Sequence, residues 1–119
     1  MISLGDHIYT ELSKLATRVY HEQAPKDATF PYVTFNFPTS APDEIREDFI
    51  LTVDIWGKGT STLTLEGLVS SISRALDHTT FCDSDLCVRI YKDNTLAPPD
   101  PNLDIRRRQL RFECRTFYK

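Results

Sequence analysis

The stretch 47-EDFILTVDIWGKGTSTLTLEGLVSSISRALD-77 predicts a β-strand, a tight turn and an α-helix in immediate succession. Its first part alternates apolar and more polar residues, a period of two that is typical of a strand with one apolar face. The apolar positions of that face are Phe49, Leu51, Val53 and Ile55. Gly57 and Gly59 then favour a turn, because glycine adopts backbone angles that other residues resist. The helix follows from apolar residues at spacings of three and four. These are Leu65, Leu68, Val69, Ile72, Ala75 and Leu76.

The rest of the chain predicts one more helix and three more strands. Apolar residues at helical spacing predict a first helix from about Leu4 to Tyr20, ending before Pro25. Alternating patterns predict the further strands, which are Tyr32–Phe37, Leu86–Tyr91 and Asp104–Tyr118. The polar and proline-bearing segments Thr39–Arg46 and Asn94–Asn102 read as loops.

The element order α-β-β-α-β-β predicts an α+β fold. We expect a four-stranded, mostly antiparallel sheet with two helices packed on one face. A length of 119 residues suits one hydrophobic core, so residues 1–119 are expected to form a single domain.

Composition narrows the classes of function. Hydrophobic residues make up 40% of the chain, which indicates a folded globule. A net charge of −3 argues against general nucleic-acid binding. The sequence has no apolar run of about 20 residues that would span a bilayer. Met1–Asp6 lacks the basic and apolar regions of a signal peptide, so we expect a cytoplasmic protein without a membrane partner.

Cysteine and histidine residues do not predict a metal site. Cys82, Cys87 and Cys114 form no CxxC pair, and the three histidines lack ligand spacing. Free thiols are the expected state in a reducing cytoplasm, and a Cys82–Cys87 disulfide is the less expected alternative. No metal and no cofactor are predicted.

Catalytic motifs are not found in the sequence. The glycine turn before the second helix resembles a phosphate loop, but the full GxxxxGK[ST] pattern is missing. No GxSxG occurs, and His21 and His78 are surface candidates with no evident partner. The prediction is therefore that the protein is not an enzyme, with no catalytic or cofactor-binding residues. A small-molecule-binding or regulatory α+β domain is the alternative, and an enzyme using His21 or His78 with a carboxylate is a third hypothesis.

The final strand concentrates positive charge. Alternation places Arg107, Arg111 and Arg115 on one side of it. Three interpretations remain open: a solvated sheet face with cross-strand ion pairs, an electrostatic contact surface, or DNA contact. Acidic residues cluster in and beside the first polar loop, and two apolar residues lie on the polar side of the central strand. The acidic residues are Asp43, Glu44 and Glu47, and the apolar ones are Ile50 and Trp56. Together these residues make a candidate interface.

The whole pattern resembles a known family. The resemblance lies in Pro25, Asp27 and the FPYVTF segment of residues 30–35, in VDIWGKG from Val53 to Gly59, and in ISRALD from Ile72 to Asp77. With the arginine-bearing last strand, these features resemble the small tail-completion, or tail-to-head joining, proteins of bacteriophages and prophages. The layout is also similar to that of phage tail terminators. The proline-rich Leu96–Pro101 segment and the cysteines depart from that family.

The resemblance implies a structural role without catalysis. It implies a ring, often six-membered in such proteins, that caps the tail tube and presents a docking surface to the head connector. The expected partners are other copies of the chain, the tail tube protein and the head connector protein. The expected location is the tail or neck of a virion assembled in the cytoplasm of a bacterial host.

Overall fold

A computed structural model of the chain describes residues 2–42, 46–59, 63–97 and 104–118. Helix α1 spans Ile2–Ser13 and helix α2 spans Leu63–Leu76. Six strands complete the fold: β1 (Val19–His21), β2 (Tyr32–Pro42), β3 (Arg46–Lys58), β4 (Thr79–Cys82), β5 (Leu86–Leu96) and β6 (Ile105–Tyr118).

The strands form one mixed, curled sheet in the order β1-β2-β3-β6-β5-β4. Strand β1 runs parallel to β2, and every other neighbouring pair is antiparallel. The two longest strands, β3 and β6, lie side by side at the centre, in continuous register from Arg46 opposite Phe117 to Lys58 opposite Ile105. This pairing puts the sequence stretch that predicted the fold in the middle of the sheet.

The predicted fold class was wrong. A four-stranded, mostly antiparallel sheet with two helices on one face was expected, whereas the sheet has six strands, is mixed, and curls into a half-barrel. Two short edge strands account for the difference in strand number. The sequence predicts a turn region over Thr79–Asp85, with a short extended piece at Phe81 as the alternative, whereas residues 79–82 pair with residues 87–90 as β4. Four residues are too few for a period of two to be recognised.

The other edge strand comes from the end of the predicted first helix. Helix α1 ends at Ser13, and residues 19–21 pair with residues 33–35 as β1. Val19 is buried, with 8% of its surface exposed. A helix from Leu4 to Tyr20 and a strand at Val19 both bury this residue, so hydrophobic periodicity does not separate them. Pairing with the edge of β2 decides the outcome, because long-range contacts override local propensity.

Both predicted loops are partly strand. Strand β2 continues through Thr39–Pro42 and pairs with residues 47–50 of β3, and β5 continues to Leu96 opposite Gln109. Each extension follows a register shift, between Asn36 and Thr39 in β2 and between Lys92 and Asn94 in β5. A β-bulge of this kind breaks the alternation of side chains, and the sequence pattern then no longer reads as a strand.

The core confirms the predicted orientation of the central strand. Phe49, Leu51, Val53 and Ile55 are all at most 8% exposed. They form one cluster with α2 residues Leu65, Val69, Ile72 and Leu76 and with α1 residues Leu4, Ile8 and Leu12. Gly59 has a φ of 107°, so the turn after β3 uses the positive φ that glycine adopts readily.

Candidate functional site

One side of the sheet faces away from this core and carries the predicted arginine row; we call it the arginine face. It consists of the even-numbered residues of β3, the odd-numbered residues of β6 and the side chains beside them on β2 and β5. Arg107, Arg111 and Arg115 lie opposite Trp56, Thr52 and Asp48, respectively. The alternation of β6 therefore brings the three arginines to one surface, but their surroundings differ.

At one end of the arginine face, Arg107 belongs to a packed network. Its Nε lies 2.9 Å from Asp54 Oδ1, and Gln109 Nε2 donates to the same oxygen at 3.1 Å. Asp54 is only 8% exposed, so these two donors replace hydrogen bonds that its carboxylate would otherwise make with water. The Arg107 guanidinium also lies 4.9 Å from the ring centroid of Trp56, within the range of a cation–π contact.

Trp56 extends this network across the sheet. Its Nε1 donates to Thr34 Oγ1 at 3.2 Å, and its ring stacks on Tyr32 with centroids 5.9 Å apart. Tyr20 of β1 meets Tyr32 edge to face at 6.0 Å. Trp56 is thus half-buried in a row of aromatic rings that crosses the strands β1, β2 and β3.

At the other end, Arg115 pairs within its own strand. Its Nε lies 3.0 Å from Glu113 Oε1, and its guanidinium lies 4.8 Å from the ring centroid of Tyr91. The hydrogen bond with Glu113 is the main cause that raises the pKa of Arg115. Next to this pair, Arg46 Nε lies 2.9 Å from Asp48 Oδ1, and Arg46 lies over the Phe117 ring at 5.9 Å.

Arg111 occupies the centre and has a different environment. Its Nε is buried and makes no hydrogen bond within the part of the chain that the structure describes. Its cross-strand neighbours are the uncharged Thr52 and Asn94. Thr52 donates its hydroxyl proton to Asn36 Oδ1. Arg111 is therefore a half-buried cation that no carboxylate of the described residues neutralises by a direct contact.

The predicted acidic and apolar interface residues are not all on this face. Ile50 lies on it, opposite Glu113, and is half-buried. Glu47 points to the opposite side of β3, where it accepts a hydrogen bond of 2.8 Å from the Tyr118 hydroxyl. Partial burial first, and this hydrogen bond second, raise the pKa of Tyr118 to about 12. Asp43 and Glu44 lie outside the described residues.

The histidines considered as catalytic candidates have ordinary contacts. His78 Nδ1 lies 3.7 Å from Asp77 Oδ1, and the same carboxylate oxygen accepts the backbone N–H of Lys92 at 2.7 Å. These residues line an open groove of about 460 Å³ between the end of α2 and β5. His21 stacks on Phe35 with ring centroids 4.7 Å apart. The contacts of Asp77 and His78 hold the turn after α2, and His21 packs against an aromatic ring.

The cysteines differ from the prediction in one respect. Cys82 and Cys87 form a disulfide between directly opposite residues of β4 and β5, so the expectation of free thiols was wrong for this pair. Cys114 is free and fully buried, and burial is the main cause that raises the pKa of its thiol to about 12. Among the described residues, no group of three or more His, Cys, Asp or Glu side chains is placed to hold a metal ion. Neither described helix is long and apolar enough to cross a membrane.

The candidate interface predicted from the sequence did not include Asp54, Gln109 or Thr34, although alternation places each of them on the polar side of its strand. Thr34 and Asp54 are at most 8% exposed although their side chains lie on the face of the sheet that points away from the core. An alternating strand predicts such positions to be solvated. Their burial depends on which residues of β2 and β6 lie opposite them, and a strand pattern does not contain that register.

Comparison with known proteins shows a shared fold and then the family. The fold is that of a chain in a solved structure titled "Virion of native gene transfer agent (GTA) particle", with a TM-score of 0.72 and 20% identity. The match covers 92% of this chain and 91% of that chain. A comparison with curated proteins found no match. Residues 9–116 match the family model "Tail completion protein gp17", and the chain belongs to that family. The resemblance read from the sequence is thereby confirmed, and the chain is a structural protein of a phage-type tail.

Proposed function

We propose that this protein completes the tail of a phage-like particle by forming a ring at the end of the tail tube. The ring caps the tube and offers a docking surface to the head connector protein. Its unit is the single domain of residues 1–119, and its expected copy number is six. It assembles in the cytoplasm of the bacterial host and remains in the tail or neck of the virion.

The observation that carries this proposal is the match to the tail completion family over residues 9–116. The arginine face supplies a surface suited to assembly. It combines charged groups with half-buried Ile50 and Trp56 and with Phe117, which is 42% exposed. Arginine and aromatic residues are enriched in protein interfaces.

Self-association would join unlike surfaces of neighbouring copies. A head-to-tail contact closes into a ring when the rotation between copies allows it. In this proposal the arginine row of one copy meets the acidic segment of the next. Asp43 and Glu44 precede β3 in that segment, and Glu47 is the second residue of β3. Exposed ion pairs contribute only about 0–1 kcal/mol each, so apolar burial at Ile50 and Trp56 must add to the contact.

The test deletes the coding sequence and then adds the purified protein back. A host carrying the phage or prophage genome with this coding sequence deleted should accumulate filled heads and separate tails. Adding the purified protein to the extract should restore joined particles, counted by electron microscopy. Negative staining of tails incubated with the protein should show an added ring at one end. Joined, infectious particles from the deletion strain would refute the proposal.

A double charge reversal tests the surface. The Arg111→Glu, Arg115→Glu protein should stay folded by circular dichroism, because both side chains lie on the side away from the core. It should fail to form rings and fail to restore joining in the extract. Normal joining by the double variant would show that the arginine row is a solvated face.

A further inference from the structure

The charges of the arginine face do not cancel one another. Strands β3 and β6 bring three carboxylates to it, and each contacts an arginine: Asp48 contacts Arg46 at 2.9 Å, Asp54 contacts Arg107 at 2.9 Å, and Glu113 contacts Arg115 at 3.0 Å. These contacts account for every carboxylate that the two central strands place there. Of the four arginines that these two strands bring to the face, Arg111 alone contacts no carboxylate of the described residues.

The unpaired state of Arg111 is costly for a free subunit. A guanidinium only donates hydrogen bonds, and its Nε is removed from solvent without an acceptor among the described residues. A buried donor without an acceptor loses the hydrogen bonds that water would make with it. A carboxylate from outside the subunit would supply two oxygens that match the planar fork of the guanidinium.

The surroundings of Arg111 suit the centre of a contact. Ile50 and Tyr91 lie opposite its strand neighbour Glu113, on β3 and β5, and both are half-buried. Both are therefore diagonal to Arg111, whose direct cross-strand neighbours are Thr52 and Asn94. Arginine and aromatic residues that lie together in this way are typical of the residues that dominate binding energy. Closure of a partner over these two side chains would exclude water and strengthen an ion pair at Arg111.

We infer that Arg111 binds a carboxylate of a second copy of this chain, and that Arg107 and Arg115 are held by their own subunit. This assignment rests on the proposed self-association and selects one residue of the row as its anchor. The charge distribution favours a second copy. The chain carries −3 overall, whereas β3 and β6 give the arginine face four arginines against three carboxylates. The negative excess therefore lies elsewhere on the same chain, where an adjoining copy can present it.

The first test separates the three arginines by single substitutions to glutamine. Arg111→Gln should weaken self-association about 10- to 100-fold, the effect of losing a charge-assisted hydrogen bond in a contact. Its melting temperature as a monomer should not fall, because no bond within the subunit is lost. Arg107→Gln should lower the melting temperature, since buried Asp54 loses a partner. Sedimentation velocity, alone and with purified tails, and thermal unfolding at low protein concentration measure the two effects.

The second test identifies the partner group. The Arg111→Lys variant replaces the guanidinium with an amine that a carbodiimide links only to a carboxylate in direct contact. Assemblies made from equal parts of ¹⁴N- and ¹⁵N-labelled variant should give cross-linked peptides of mixed label, found by mass spectrometry. Mixed label proves a link between copies. Links found only to Glu113 of the same copy would overturn the inference.

The outcomes also separate this inference from the proposed function. A wild-type protein that remains monomeric and does not bind tails would overturn both. Wild-type assembly together with equal assembly of Arg111→Gln would overturn the role of Arg111 alone. So would an Arg111-dependent affinity for duplex DNA, or for an acidic protein of the tail or connector, without a cross-link between copies.

Discussion

The two faces of the central strand pair β3–β6 were read from the same alternation, but they follow different rules. On the core side, residues such as Leu51, Val53 and Leu110 are fully buried and touch other apolar groups. On the arginine face, burial is uneven: Asp54 is 8% exposed, whereas Arg107 and Arg115 are only partly covered. Burial on the core side follows from hydrophobicity, which can be read from the sequence. Burial on the arginine face depends on which polar side chains lie opposite one another, and only the strand register determines that.

The largest expected effect separates neighbouring positions of β3. Leu51→Ala should lower the free energy of unfolding by about 2–5 kcal/mol, because Leu51 is fully buried and a cavity would remain. Ile72→Ala on α2 should cost a similar amount. Ile50→Ala is the matched control on the opposite face and should cost about 1 kcal/mol or less. Urea unfolding followed by fluorescence measures all three. Equal losses at residues 50 and 51 would mean that the faces are assigned wrongly.

A second substitution asks whether the arginine face stabilises the monomer. Asp54→Asn keeps the size of the side chain but removes the charge that Arg107 and Gln109 contact. We expect a loss of about 1.5–3 kcal/mol in the free energy of unfolding, the range for hydrogen bonds to charged groups. A loss below about 0.5 kcal/mol would mean that the contacts of Asp54 stabilise the fold no more than an ordinary surface ion pair does.

A smaller effect is confined to acidic pH. His7 on α1 stacks on Phe81 of β4 with centroids 4.0 Å apart, and burial is the main cause that lowers its pKa from 6.5. As the pH falls, His7 therefore becomes protonated in the unfolded chain before it does so in the folded protein. The stability that His7 contributes should be present above pH 6.5 and lost as the pH falls through that value towards the folded pKa. His7→Gln should show a weaker decline in melting temperature between pH 7.5 and pH 5.5. Parallel declines for both proteins would contradict this.

The smallest effect is expected at Arg115. Its partner Glu113 is exposed to a similar degree, and surface pairs of this kind contribute little to folding. Arg115→Ala should leave the midpoint of urea unfolding unchanged. A clear shift would mean that the contact with Tyr91 stabilises the edge of the sheet, and Tyr91→Ala should then give the same shift.

Much of the fold was predictable where the pattern is long. The eight-residue alternation of β3, the spacing in α2 and the long last strand all gave the correct type of element. Prediction failed at β1 and β4, which have three and four residues, and where bulges interrupt β2 and β5. In each case a distant partner strand, not the local pattern, decides the structure.

For the candidate site, the common side of the three arginines followed from alternation alone. Their unequal environments did not. The pairing of Arg107 with Asp54 spans 53 residues along the chain, and the unpaired state of Arg111 depends on Thr52 and Asn94 lying opposite it. No spacing within β6 distinguishes these positions.

The outer edge of β2 has a consequence for the protein before it joins a particle. Strand β1 covers only residues 33–35, so the described part of β2 beyond them has one side open to another chain. Open strand edges are templates for uncontrolled fibre growth. Here that edge holds Pro38 and Pro42, which lack an N–H donor, and a bulge between Asn36 and Thr39. These features make the edge a poor template, and we expect free subunits to resist aggregation through it.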